Sequence, residues 1–209
     1  MKKKFKVTKD KLFFQKRIYI FLLILLLLGI ILGLSYPFFL SNENKELLNT
    51  SISSFFNNVL NNQVNYNEGL RNSTLTNLAF VVSIWLLGIS LIGLPIVLVL
   101  LVYKGFIFGF SISSIIKVYG IKGIIGAFTY VFPGTILMLI TTILLCFYST
   151  SFSLKLFRYL FLKENLNFKM IMNKYLKILG ISCCSVVLVI LSDVYLAPVF
   201  MKLFTFLIK

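Results

Sequence analysis

The sequence has no histidine. That removes the side chain most used as a general base and as a metal ligand. Three cysteines are present, Cys146, Cys183 and Cys184, and all lie in apolar stretches. A disulfide framework needs paired, exposed cysteines, so these read as small core residues. Acids are scarce: six Asp and Glu stand against 21 Lys and Arg. Intramembrane aspartyl chemistry needs two facing acids, and Asp193 is the only one expected within a span. GFSIS and GISLIG do not form the G-x-S-x-G nucleophile elbow, and no histidine could serve a serine. H-E-x-x-H and a Walker loop are also missing. The expectation is a protein that is not an enzyme and holds no cofactor or metal.

What is abundant is apolar. Hydrophobic residues make up 59% of the chain and mean hydropathy is +0.96. Soluble domains sit at roughly 45–50% apolar. Runs of about 20 apolar residues recur, enough to cross a hydrocarbon core of about 30 Å. The expected fold is all-α: an integral membrane helical bundle of about five transmembrane helices. The net charge of +15 would suggest nucleic acid in a soluble domain. Here the basic residues flank apolar runs, so they orient helices and touch anionic lipid headgroups instead.

The chain divides by charge and hydropathy. The stretch MKKKFKVTKDKLFFQKR carries eight basic residues. The apolar run after it exceeds the 7–15 residues of a signal-peptide core, so it reads as an uncleaved span. The expected layout is a basic cytoplasmic tail at 1–17, a first span at 18–40 and an external loop at 41–77. A second span follows at 78–103, a short third at 105–120 and a fourth at 123–149. A basic cytoplasmic loop at 150–177 precedes a last segment at 178–209. If the third segment failed to cross, the 150–177 loop, with six Lys and Arg against Glu164, would lie outside. The positive-inside rule therefore makes it cross, leaving the N-terminus inside and the C-terminus outside. Pro198 is expected to break or kink the last run, leaving VFMKLFTFLIK along the outer interface.

Within the external loop, Leu48, Ile52, Phe55, Phe56, Val59 and Leu60 fall at helical spacing. This amphipathic segment either lies on the outer leaflet or docks an external partner. NNQVNYNEGLRNS after it reads as turn and loop.

Asp193 is the sharpest single signal. A mid-membrane acid costs about 2.5–3.5 kcal/mol on insertion scales, so it should face the bundle and meet a serine, tyrosine or lysine. It could serve an ion or proton pathway, lock helices or mark a partner contact, or sit near the outer headgroups. Gly29 with Gly33, and Gly105 with Gly109, form GxxxG pairs that let helix backbones approach. Gly88, Gly93 and Pro95 imply a kink or a tight crossing.

The stretch WLLGISLIGLPIVLVLLVYKGFIFGFSISSII resembles the membrane family of stage II sporulation protein M. That family has a Gly-rich second span ending in G-x-P, then Lys/Asn-Gly-Phe and a short Gly-containing span. Trp85, Gly88, Gly93, Pro95, Lys104, Gly105, Phe106, Gly109 and Phe110 carry the match. SDVYLAP resembles the family's F-E-A-Y-x-[ST]-P, with Asp193 in place of the glutamate, Tyr195 and Pro198 matching, and Ala197 replacing Ser/Thr. The family's P-Q-N or P-H-G with a following glutamate is departed from: here Pro133-Gly134-Thr135 has no following acid. The likeness runs from about Leu78 onward and includes the basic-start first span.

The resemblance implies a multi-pass protein of the bacterial cell membrane, in the mother-cell membrane at the septum. It implies a non-enzymatic scaffold acting in engulfment during endospore formation. Its implied partners are a lytic transglycosylase and an amidase/endopeptidase, both peptidoglycan hydrolases. Homo-oligomerisation stays open. The alternative is a transporter or channel subunit using Asp193 as an intramembrane ion or proton site.

Overall fold

The structure is a computed structural model. It describes the backbone of residues 2–208 except 62, 64, 132, 133, 162 and 164–166, and side chains within 15–202. Every described element is helical: α1 (Lys2–Ser35), α2 (Asn42–Leu60), α3 (Tyr66–Ile89), α4 (Gly93–Tyr119), α5 (Lys122–Val131), α6 (Gly134–Phe161), α7 (Phe168–Leu191) and α8 (Ala197–Ile208). Five stretches are long and apolar enough to cross a membrane: Gln15–Phe39, Tyr66–Ile89, Gly93–Tyr119, Gly134–Phe161 and Phe168–Lys202. Each gives side chains to one core, among them Leu22, Val81, Leu101, Leu145 and Val186.

The span number matches the expectation, but the boundaries move. The expected second span, 78–103, is cut at Ser90–Ile92, and α4 runs unbroken through Lys104. The short third segment at 105–120 is therefore the second half of a 27-residue helix. Gly88, Gly93 and Pro95 straddle a turn rather than kink a helix. A Cβ on Gly93 would collide with the Leu87 carbonyl oxygen, so glycine lets α4 start directly against the end of α3. Pro95 sits in the first turn of α4, where no intrahelical acceptor awaits its missing N–H.

The loop expected at 41–77 is largely helical. Ser41 accepts from the Asn44 N–H (3.5 Å) to start α2, and Asn65 accepts from the Glu68 N–H (3.3 Å) to start α3. Starting α3 there puts Glu68 in a span as well, so Asp193 is not the only such acid. The fourth span begins at Gly134 rather than at 123, because α5 is a separate helix after a turn at Gly120 (φ 61°). Pro133 lies outside the described residues. The expected 150–177 loop shrinks because α6 continues to Phe161 and α7 begins at Phe168, capped by Asn167 accepting from the Met170 N–H (3.2 Å).

Pro198 does not break the last helix. It follows a π-helical turn, Ser192–Leu196, in which the Ala197 N–H bonds the Ser192 carbonyl. Proline cannot supply the next donor, and the widened turn absorbs that loss while the helix continues. The end of the chain packs on α5 and α2 through Ala197 and Met201. Cys146 is buried, Cys183 is half-buried and Cys184 is exposed, so only the first two fit the expected core role.

The two GxxxG pairs meet. A Cβ on Gly33 would lie 2.7 Å from the Phe110 nitrogen, and one on Gly105 would lie 2.7 Å from the Leu26 carbonyl oxygen. Gly29 faces Val102 and Phe106, and Gly109 faces Ile30 and Leu34. Contact positions rise together on both helices, so α1 and α4 run parallel with their backbones touching, as small residues permit. Ser113 continues the seam by donating to the Leu34 carbonyl (2.7 Å), and Lys117 donates to the Pro37 carbonyl.

The bundle thus has two ends. The turn end holds Ser90–Ile92, the last turn of α6 and the first turn of α7. The α2 end holds α2, α5 and the π turn.

Candidate functional site: the α2 end of the bundle

The candidate residues separate into three groups. Gly105 and Gly109 belong to the α1–α4 seam. Trp85 and Gly88 belong to an interlock at the turn end. Asp193, Tyr195 and Pro198 gather at the α2 end, and Lys104 bears on them from mid-bundle.

At the turn end, Trp85 Nε1 donates to the Tyr175 carbonyl (3.4 Å), and the Tyr175 hydroxyl donates to the Trp85 carbonyl (2.8 Å). The two rings stack at 5.4 Å, and Phe152 stacks on the other face of Tyr175 at 4.4 Å. Ser149 donates to the Ile84 carbonyl (3.2 Å). A Cβ on Gly88 would strike Ser149 Oγ and the Tyr175 hydroxyl, so glycine makes room for this network. Tyr175 and Ser149 gave no motif in the sequence. They are legible only once α3, α6 and α7 are side by side.

At the α2 end, Asp193 lies in the π turn. Its carboxylate rests against Gly134, the first residue of α6: a Cβ there would lie 2.9 Å from Asp193 Cγ. The start of a helix carries partial positive charge, which favours a carboxylate. Lys104 attracts Asp193 through space, and its ammonium also sits 4.9 Å from the centre of the Phe80 ring. Tyr130 of α5 lies within reach of the Asp193 charge and hydrogen-bonds Ser111. Burial pushes the Tyr130 phenol up, the Asp193 charge adds to this and the Ser111 bond opposes it, so the phenol stays neutral.

The depth of Asp193 follows from its neighbours. Tyr195 stacks on Tyr66 in the first turn of α3 at 6.0 Å, and Val194 Cγ2 lies 3.9 Å from where a Gly69 Cβ would be. The carboxylate is thus level with the starts of α3 and α6, toward one end of the bundle rather than midway. Lys104, about 16 Å along α4 at 1.5 Å per residue, is the deeper charge of the pair. The sequence singled out Asp193 and Lys104 separately. It gave no sign of Tyr130, Ser111 or Tyr66.

Helix α2 closes this end. Phe56 and Val59 are buried against Ile115, Ala127, Ala197 and Met201, and the Phe56 ring meets Tyr119 edge-on at 5.3 Å. Burying such side chains stabilises by about 1.5–3 kcal/mol each. Of the expected apolar face, Leu48, Ile52 and Leu60 are half-buried and Phe55 is exposed. The apolar face is thus seated largely on protein. Asn49, Asn57 and Asn58 stay exposed on the other face.

What these residues can do is hold and present. A carboxylate from the π turn feels an ammonium of α4 and lies near a neutral phenol of α5, while α2 closes the same end of the bundle. No curated protein and no solved structure matches the chain. The family model described as stage II sporulation protein M matches residues 20–198. That match takes in all three groups, from the α1–α4 seam to Pro198, and the chain is a multi-pass membrane protein that belongs to the stage II sporulation protein M family, which is sporulation-related.

Proposed function

We propose that the protein is a non-enzymatic membrane scaffold that anchors peptidoglycan-degrading partners at the septum during engulfment in endospore formation. The α2 end faces the outside, and the N-terminus faces the cytoplasm. Membership of the sporulation family over residues 20–198 is the observation that carries this reading. The seating of α2 adds to it: the helix spends its apolar face on the bundle and offers the Asn-rich face to a lytic transglycosylase and an amidase/endopeptidase. The basic residues near the turn end agree with a cytoplasmic position for that end.

The test is deletion of the gene in sporulating cells, followed by membrane imaging. Stalled engulfment and mislocalised wall hydrolases are expected. Normal engulfment would sink the reading. A second reading, ion or proton movement through the bundle, rests on the Lys104–Asp193 attraction. Flux in proteoliposomes, abolished by Asp193→Asn, would favour it over the scaffold.

A further inference from the structure

A cavity of about 610 Å³ lies between α2 and the last turns of α4. Its volume falls within the roughly 300–1,000 Å³ typical of small-molecule sites. Leu48, Ile52 and Phe56 of α2 form one wall, and Phe110, Ser114 and Ile115 of α4 form the other. No charged side chain lines it. Ser114 is 2% exposed, and its hydroxyl has no hydrogen-bond partner. An unpartnered buried hydroxyl costs about 1–3 kcal/mol. It is therefore an unspent donor in the wall of a mainly apolar space, whose other polar lining residues include Asn44, Ser51, Ser111 and Tyr130.

The surroundings narrow the ligand. At 1.5 Å per residue, Ser114 and Phe110 lie about 8 and 14 Å below the end of α4. That end belongs to a span of 27 residues, so the cavity opens at the depth of the upper acyl chains. Tyr36, Leu47 and Phe55 line it while remaining exposed, and the exposed Asn44 and Ser51 share this mouth. Lys117 stands one turn above Ser114 on α4, bonded to the Pro37 carbonyl beside Tyr36. An ammonium has three donors, so Lys117 keeps capacity for an anion.

We propose that this cavity holds one acyl chain of a membrane phospholipid, whose ester carbonyl accepts from the Ser114 hydroxyl and whose phosphate faces Lys117. The order of chemistries is that of a glycerolipid read from the headgroup inward: cation, hydroxyl, mainly apolar chamber. Helix α2 is then seated on lipid as well as on protein. This holds whether or not the protein is a scaffold.

The full chain in nanodiscs of phosphatidylglycerol and phosphatidylethanolamine, exchanged into detergent, would be read by native mass spectrometry. One phospholipid retained per chain is expected. Ser51→Trp, which plugs the mouth from an exposed position, should lower retention at least fivefold. Ser114→Ala should lower it about threefold. Lys117→Gln should shift the retained species away from phosphatidylglycerol, and no shift would remove Lys117 from the site. A second, apolar groove lies at the turn end between Ile92 and Pro95 on one side and Phe157 and Leu160 on the other, and Leu160→Trp there should leave retention unchanged. Equal loss in that variant would mean general surface lipid and would overturn the proposal. So would an empty wild type, a detergent molecule in place of the lipid, or wild-type retention in both Ser51→Trp and Ser114→Ala. If Ser51→Trp fails to fold, judged by its thermal midpoint, Ser114→Ala carries the test alone.

Discussion

At the turn end, Trp85 and Tyr175 exchange hydrogen bonds, Phe152 stacks behind them, and Ser90–Ile92 joins two helices with glycine on either side. At the α2 end, two short helices, a π turn and a 610 Å³ cavity occupy the same role of closure. Both ends keep buried hydroxyls without a hydrogen-bond partner, Thr150 and Ser151 near the first and Ser114 at the second. The second adds a carboxylate that Lys104 attracts and an exposed asparagine face. A bundle needs only one rigid end to hold its helices in register. On the proposed scaffold function, the other end is the one shaped for a partner.

Four sets of substitutions would break or sharpen that contrast. Gly109→Leu should have the largest effect. It drives a side chain into the Ile30–Leu34 backbone and parts the seam that runs between the two ends. Overpacking costs 1–3 kcal/mol or more, and about 3 kcal/mol is expected here. Folded protein recovered in detergent should fall at least tenfold, and a normal yield would show that the seam is not close-packed.

Tyr175→Phe should come next. It keeps the ring stacks and removes the bond to the Trp85 carbonyl, at about 1–2 kcal/mol. A lower thermal midpoint is expected, with partner capture unchanged. Loss of capture at an unchanged midpoint would reverse the assignment of the two ends.

The charge pair ranks third. Asp193→Leu leaves Lys104 without its counter-charge, and the added change Lys104→Met should restore part of the loss. The expected coupling in a double-mutant cycle is about 1 kcal/mol. Additive losses would mean that the two residues do not communicate. Asp193→Glu keeps the charge and should retain more of its partners in a pull-down than Asp193→Leu does. Equal capture by both would refute a role for the charge.

The smallest effect on stability belongs to the exposed face of α2. Asn57→Lys with Asn58→Lys should change folding by less than about 0.5 kcal/mol. Hydrolase capture should nevertheless drop several-fold. Undiminished capture would move the docking surface elsewhere.

Much of the bundle was readable from composition and periodicity. Apolar runs gave the number of spans, and the GxxxG spacing in α1 and α4 marked where backbones could touch. Boundaries were read wrongly where a motif has two meanings. Gly93 and Pro95 serve equally as a kink or as the start of a new helix, and only the approach to Leu87 decides between them. The caps Asn65 and Asn167 carried the signal for longer helices, since each sits three residues before the amide it accepts. A reading dominated by hydropathy passes over such caps because their neighbours are polar. At the candidate site, Asp193 stood out because an acid in an apolar run is costly. Tyr130 and Ser111 did not, because hydroxyls in membrane helices are unremarkable until something faces them.

The sequence alone determined that this chain lives in lipid, crosses it five times and carries its small residues in helix-facing pairs. Those properties are set by transfer free energy and by spacing along one strand of residues, so no neighbour is needed to read them. Only the tertiary structure decided that the two GxxxG pairs belong to each other, that Asp193 sits near one end, and that α2 closes over a cavity. Each of these depends on which helices lie adjacent and in what direction. Adjacency is fixed by packing among residues far apart in the chain, which no local pattern encodes.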